Sequence, residues 1–290
     1  MSSLRNRPID LLTTPGRVYE ELAALGQTPK QHLGQSFLLD RQLLDSFARD
    51  LEIGEGDRVV EIGPGLGHLT RALLDAGAEV LAVEKDPVLG ETLFARLGSP
   101  DRLTPRTGDI LELGREDLET WSRGGEVVPC GNLPYYCSSQ ILARFFESWW
   151  GLWKRAGILL QEEVADRLVA RPSTPTYGRL SILSQLFATP KKARKIRAHL
   201  FVPRPEVISA WCTLIVKSPP EGVTPDAVSR LTAICFGERR KTLANNLGRE
   251  WGRERTREVL ERAGVSGAKR AEELGLEEFI GLLNASRAIE

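Results

Sequence analysis

The amino-acid sequence predicts an α/β protein, a parallel sheet covered by helices on both faces, followed by a smaller all-helical domain. Two observations carry this. Between residues 58 and 160 short β-branched runs alternate with amphipathic helical patterns, as in strands joined by crossover helices. Beyond Ser218-Pro219-Pro220-Glu221-Gly222, a linker signal, only helical patterns remain. The 290 residues allow one or two domains, and 41% hydrophobic with 27% charged residues is an ordinary globular composition.

In chain order, residues 1–27 read as a loose extension with one short amphipathic helix, Val18, Tyr19, Leu22 and Leu25 falling at helical spacing. Leu39, Leu43, Leu44, Phe47 and Leu51 define the next helix. Strands are expected at 58–62, 79–83, 103–107, 126–130 and 157–160. Helices fall between them at 67–76 and 88–97 and around Ile141, Leu142, Phe145, Phe146 and Trp149. The C-terminal part reads as helices at 227–235, 239–247, 253–263 and 276–285. The domains are thus expected at 28–217 and 222–290.

No apolar stretch reaches the 18 or more residues of a membrane span, and the N-terminus lacks the apolar core of a secretory signal, so the reading is cytoplasmic. The four cysteines form no C-x-x-C pair and the three histidines are scattered, which suggests neither a metal site nor a disulfide framework. Net charge is zero, yet residues 191–257 hold fifteen basic against six acidic side chains. A molecule so polarised can turn one basic face to a polyanion.

Chemistry concentrates at the carboxyl ends of the expected strands, where sheets of this kind bind ligands. The first strand runs into Gly63-Pro64-Gly65-Leu66-Gly67 and then a helix. Glycine at 63, 65 and 67 permits a tight turn and close backbone approach to a nucleotide, with a spacing unlike the G-x-G-x-x-G of dinucleotide folds. Glu84, ending the second strand, is placed to accept both hydroxyls of a ribose. Asp109, after the third, can accept from the exocyclic amine of an adenine. After the fourth, Asn132-Leu133-Pro134-Tyr135 offers an amide oxygen, a backbone carbonyl fixed by the proline and an aromatic face, a clamp for an aminated flat base. The combination points to methyl transfer onto an amino nitrogen.

Five ordered motifs resemble the small-subunit ribosomal RNA adenine dimethyltransferases of the KsgA (RsmA) type. They are Gln31-His32-Leu33-Gly34-Gln35-Ser36-Phe37-Leu38, the loop from Glu61 to Gly67, Gly131-Asn132-Leu133-Pro134-Tyr135, Phe201-Val202-Pro203-Arg204-Pro205-Glu206-Val207 and Phe236-Gly237-Glu238-Arg239-Arg240-Lys241-Thr242-Leu243. The resemblance runs from about residue 28 to 285. It implies a Rossmann-like, mostly parallel seven-stranded methyltransferase sheet and S-adenosylmethionine as donor. The implied substrate is two adjacent adenosines near the 3′ end of 16S ribosomal RNA in the small-subunit precursor, methylated by a monomer. It puts Ser36, Leu38, Gly63, Glu84, Asp109 and Asn132 on donor-contacting positions, where Ser36 departs from the usual Asn or His. Asn132, Leu133, Pro134 and Tyr135 become the catalytic clamp, aligning N6 with the sulfonium methyl without a general base.

Capture of RNA phosphates then falls to Lys191, Lys192, Arg194 and Lys195, a tract that alternates too imperfectly for a purely structural strand. Arg239, Arg240 and Lys241, expected to open a helix, join them. An Erm-type enzyme acting on 23S RNA shares the loop and clamp, but the Arg239–Leu243 segment favours the small-subunit type. A ribosome-assembly checkpoint acting mainly by binding is a second alternative. A nicotinamide dehydrogenase is disfavoured by the loop spacing.

Overall fold

The computed structural model describes residues 13–30 and 33–288. The chain opens with α1 (Pro15–Ala24), β1 (Phe37–Leu38) and α2 (Arg41–Asp50). Strands and helices then alternate through β2 (Arg58–Ile62), α3 (His68–Asp75), β3 (Glu79–Glu84), α4 (Pro87–Arg96), β4 (Leu103–Thr107), α5 (Arg115–Trp121), β5 (Val128–Asn132), α6 (Ser138–Phe146) and β6 (Arg155–Gln161). Two helices, α7 (Glu162–Leu168) and α8 (Arg179–Phe187), precede β7 (Ala188–Ile196), β8 (Phe201–Val202) and β9 (Ser209–Val216). The chain continues as α9 (Pro225–Cys235), α10 (Leu243–Trp251), α11 (Arg253–Ala263) and α12 (Leu276–Arg287).

Seven strands form one sheet in the order β4-β3-β2-β5-β6-β9-β7, while β1 pairs antiparallel with β8 in a separate ribbon. The pairings from β4 to β6 are all parallel. From β2 the chain order runs outward one way through β3 and β4 and the other way through β5 and β6, so a crevice opens at the carboxyl ends beside β2. β2, β3 and β6 are buried along nearly their whole length, as strands covered on both faces must be. β4 is exposed after Leu103 and contains Pro105, which an edge strand tolerates.

Four expectations need correction. Residues 1–12 lie outside the described residues, but 13–27 are not loose. Val18 and Leu22 of α1 are fully buried, and Glu21 meets Arg96 of α4 at 3.4 Å with neither side chain exposed, while Tyr19 stays half exposed. The fourth strand starts at Val128, later than expected, because Val127 makes only an isolated bridge to Trp153 and pairing with β2 begins at Val128 opposite Val59. That shift puts Asn132 on the strand itself. The basic tract is a strand after all: β7 lies at the sheet edge, where charged side chains are tolerated and discourage further pairing. Arg239, Arg240 and Lys241 form a turn, not the start of a helix. Asn246 holds that turn, accepting from the Glu238 N–H and donating to the carbonyls of Cys235 and Glu238, so α10 begins only at Leu243.

The chain divides into two compact units. One comprises the chain up to Arg144 with Gly151–Ala165 and Lys192–Leu214. The other comprises Phe145–Trp150, Asp166–Lys191 and everything from Ile215 onward, so it is more than the C-terminal segment expected as a domain. Its interior includes Leu231, Cys235, Leu247, Phe279 and Leu282, and the Tyr177 hydroxyl donates to the Leu274 carbonyl at 2.9 Å.

Candidate active site

Strand ends and loops of the first unit enclose a cavity of about 960 Å³, its open mouth included. Parallel register brings Ile62, Glu84, Thr107 and Asn132 to the same edge of the sheet, and the turns after them supply the lining. Gly63, Gly65 and Gly67 all have positive φ (65°, 58° and 96°), so the loop after β2 needs glycine at each. Gly63 and Gly65 line the cavity, whereas Gly67 makes the turn into α3, where a Cβ would stand 2.9 Å from Leu93 Cδ1.

Glu84 lies at the end of β3 and is 7% exposed. Its Oε2 accepts from the Gly65 N–H and its Oε1 from the Asp86 N–H, both at 2.9 Å. Two backbone groups thus fix the carboxylate, and each oxygen keeps a lone pair for a ligand. Burial pushes its pKa up despite these bonds. Asp109 accepts from the Leu111 N–H at 2.9 Å and from Lys85 Nζ at 2.8 Å. Burial pulls the Asp109 carboxyl up, but Lys85 and the Leu111 N–H outweigh it and hold it below the ordinary range.

Asn132 Nδ2 donates to the Ser36 carbonyl at 2.9 Å. A carbonyl only accepts, so this bond decides which way the amide faces and leaves Oδ1 as the other end. Oδ1 is buried and has no partner in the protein. The Ser36 hydroxyl is committed elsewhere, to the Pro203 carbonyl at 2.8 Å, beside the β1–β8 ribbon. Ser36 and Leu38 both line the cavity.

Within the clamp, Pro134 lines the cavity, Leu133 is buried and Tyr135 stands beyond the lining. The Tyr135 hydroxyl shares a 2.7 Å hydrogen bond with Ser209 Oγ, which anchors the ring from its polar end. Tyr136 does join the lining, with Phe37 and Phe47; it is 53% exposed, and Lys85 Nζ lies 5.7 Å from its ring centre.

Reading by motif missed Glu61, Gln35, Lys85 and Tyr136 as lining residues. Glu61 carried a signal, a carboxyl inside the apolar run of β2. It is 1% exposed, burial pushes it up to about 8, and its Oε2 has no protein partner. No group of three or more metal-ligating side chains occurs among the described residues.

The basic side chains are unevenly committed. Lys192 and Lys195 both reach Glu162 at 2.7 Å, and Arg194 binds Ser46 Oγ at 2.6 Å and Asp50 at 2.5 Å. Arg239 bonds to Glu272 at 3.1 Å and to the Pro175 carbonyl at 2.6 Å. Lys191, Arg240 and Lys241 are exposed.

Comparison with known proteins extends the geometry. The sequence pattern of the ribosomal RNA adenine dimethylases matches residues 26–287. A ribosomal RNA small subunit methyltransferase A of Novosphingobium aromaticivorans is 39% identical over 256 residues, 86% of this chain and 90% of that protein. One from Maricaulis maris is 40% identical over 267 residues, 89% of this chain and 91% of the relative. Among solved structures, a dimethyladenosine transferase from Plasmodium falciparum superposes with a TM-score of 0.73 at 25% identity, covering 86% of this chain and 96% of the other. The 23S rRNA methyltransferase ErmE gives 0.63, also at 25% identity, covering 87% and 99%.

Proposed function

Because the chain belongs to the ribosomal RNA adenine dimethylase family, we propose that it dimethylates N6 of two adjacent adenosines near the 3′ end of 16S ribosomal RNA during small-subunit maturation, using S-adenosylmethionine. The observation that carries this reading is the Asn132 amide, on a residue that lines the cavity, turned by the Ser36 carbonyl so that its Oδ1 is a buried acceptor without a protein partner. An unpaired buried acceptor is unfavourable by about 1–3 kcal/mol until a donor reaches it, and an exocyclic amine is such a donor. Relatives named for the small subunit, 39–40% identical, favour 16S over 23S RNA.

The cavity suits the methyl donor. Asn132 Oδ1 is an acceptor and Glu61 Oε2 a carboxyl oxygen, both without protein partners, and the donor is rich in N–H and O–H groups that can both give and take hydrogen bonds. Glu84 would take the ribose hydroxyls, Asp109 the adenine amine, and Gly63 and Gly65 would bring their backbone close. Leu38 would add apolar contact and Ser36 would act through its backbone. When bound, S-adenosylmethionine supplies an electrophilic methyl on a sulfonium. Asn132 Oδ1 and the Leu133 carbonyl accept the N6 hydrogens and turn the nitrogen lone pair toward that methyl. Tyr135, tethered by Ser209 just beyond the lining, would give the flipped base a fixed face beside the donor cavity. No side chain need act as a base, since the N6 proton becomes acidic as the bond forms and leaves to water. Exposed Lys191, Arg240 and Lys241 are the side chains readiest to hold RNA phosphates, with Lys192, Arg194, Lys195 and Arg239 exchanging their carboxylate partners for phosphate. The protein works as a monomer in the cytoplasm in this reading.

Mass spectrometry of immature small subunits and, separately, of 23S RNA, each incubated with the protein and S-adenosylmethionine, tests it. Four methyl groups on two adjacent adenosines are expected. Methylated 23S RNA with unmodified 16S RNA would move the protein to the large-subunit type, and binding without methylation would leave an assembly role alone. Asn132→Ala should lower the single-turnover rate about 10²- to 10³-fold, as for loss of one preorganised electrostatic group, with RNA affinity nearly unchanged.

A further inference from the structure

Beside the clamp, residues 33–36 line the cavity and, with Lys30 bonded to Gln35, form a strap that one buried carboxylate holds. Asp86 is 1% exposed. Its Oδ1 caps α4 through the Val88 and Leu89 N–H groups at 3.1 and 3.4 Å. Its Oδ2 serves the strap alone, accepting from Lys30 Nζ at 2.7 Å and Gln35 Nε2 at 2.9 Å. Burial works to raise this carboxyl, yet Lys30 and Gln35 hold it below the ordinary range, so it faces them ionised. The strap also closes on itself: the Lys30 N–H donates to Gln35 Oε1 at 2.8 Å and the Gln35 N–H to the Lys30 carbonyl at 3.3 Å.

The other end of the strap bears on the clamp. Ser36, next to Gln35, supplies the carbonyl that takes Asn132 Nδ2. Gly34 lies so close to the Pro134–Tyr135 peptide that a Cβ would sit 3.3 Å from the Tyr135 nitrogen. An amide side chain has two nearly isosteric orientations, related by a half-turn. One offers the target amine an acceptor, the other a second donor that repels it. The Ser36 carbonyl selects the first only while the strap holds its place.

We propose that Asp86 is a positioning residue for methyl transfer: by fixing Gln35 and Lys30 it sets the Ser36 carbonyl, which keeps Asn132 in its accepting orientation. The idea rests on the role given to Asn132 above and extends it to a residue that does not touch the reacting atoms. The chain of contacts is Asp86 to Gln35, through the backbone to Ser36, and from there to Asn132. It explains why a side chain already engaged in capping a helix also carries a lysine and a glutamine.

The test uses Asp86→Asn and Gln35→Met, the second leaving the α4 cap untouched, each alone and combined with Asn132→Ala. Single-turnover methylation of small subunits, the RNA KM and the Asn132 side-chain amide resonance in ¹⁵N spectra are measured. Each single variant should be slowed about 10-fold or more, as misplacement of an aligning group entails, with RNA KM unchanged. The Asn132 amide signal should move or broaden. In the Asn132→Ala background neither substitution should slow the reaction further, since the pathway is already cut. Full additive losses there, or an unmoved Asn132 signal in both single variants, would overturn the proposal. If the wild type methylates nothing, the functional reading has failed, and the amide signal still decides whether Asp86 governs Asn132.

Discussion

A carboxyl group on a central strand makes the pH behaviour of one residue readable. Glu61 is held at about 8, chiefly by burial and secondarily by the nearby Glu84 charge, with Thr70 opposing. Its folded-state value lies above the unfolded 4.5, so the native state binds the proton more tightly. The stability linked to Glu61 is fully present below pH 4.5 and is lost as pH rises through 8. Glu61→Gln should therefore match the wild type in melting temperature at pH 5 and exceed it at pH 9, as thermal denaturation followed by circular dichroism would show. Parallel pH curves for the two proteins would place the titration elsewhere. At this scale the sequence was legible where chemistry sits at strand ends: Glu84, Asp109 and Asn132 all line the cavity. It was not legible where function depends on which loops meet. Ser36 and Asn132 are 96 residues apart and Lys30 and Asp86 are 56, and no local pattern announces either contact. Nor does spacing tell that Tyr136, not Tyr135, faces the cavity.

Among the elements, α1 shows how a segment that reads as an appendage becomes part of the core. Its stripe of Val18 and Leu22 was visible as periodicity, but its partner was not, because Arg96 reads as an ordinary surface residue near the end of α4. Glu21→Ala would leave the Arg96 guanidinium buried without a counter-charge, a loss of about 3–5 kcal/mol for a broken buried pair. Urea unfolding should show that drop, and the double variant Glu21→Leu with Arg96→Met should recover much of it. The alternation of β2 to β6 with helices was legible because apolar runs on both-face-covered strands have a plain signature. The turn before α10 was not, since basic residues suit a helix well and the hydrogen bonds of Asn246 that hold the turn leave no local pattern.

For the whole molecule, the excess of fifteen basic over six acidic residues in 191–257 overstates the charge free to meet a polyanion. Glu162 and Asp50, outside that segment, already bind Lys192, Lys195 and Arg194. Replacing Lys191, Arg240 and Lys241 with Gln should flatten the salt dependence of RNA affinity by about 0.7–0.9 for each phosphate no longer neutralised, measured by filter binding across salt concentrations. Donor affinity should not change, and an unaltered slope would make these charges mere solvated surface. The order of the sheet has a different consequence, for the chain while it is being made. β9 lies between β6 and β7, yet both neighbours precede it in the sequence. Until Val216 has left the ribosome, β6, buried from Ala156 to Leu160 in the finished protein, presents an unpaired apolar edge to solvent. Chains released before Ser209 should pellet or stay bound to chaperones, whereas full-length chains remain in the supernatant after centrifugation. Synthesis thus finishes this sheet from within, and a nascent chain that stalls between β7 and β9 is exposed at its stickiest strand.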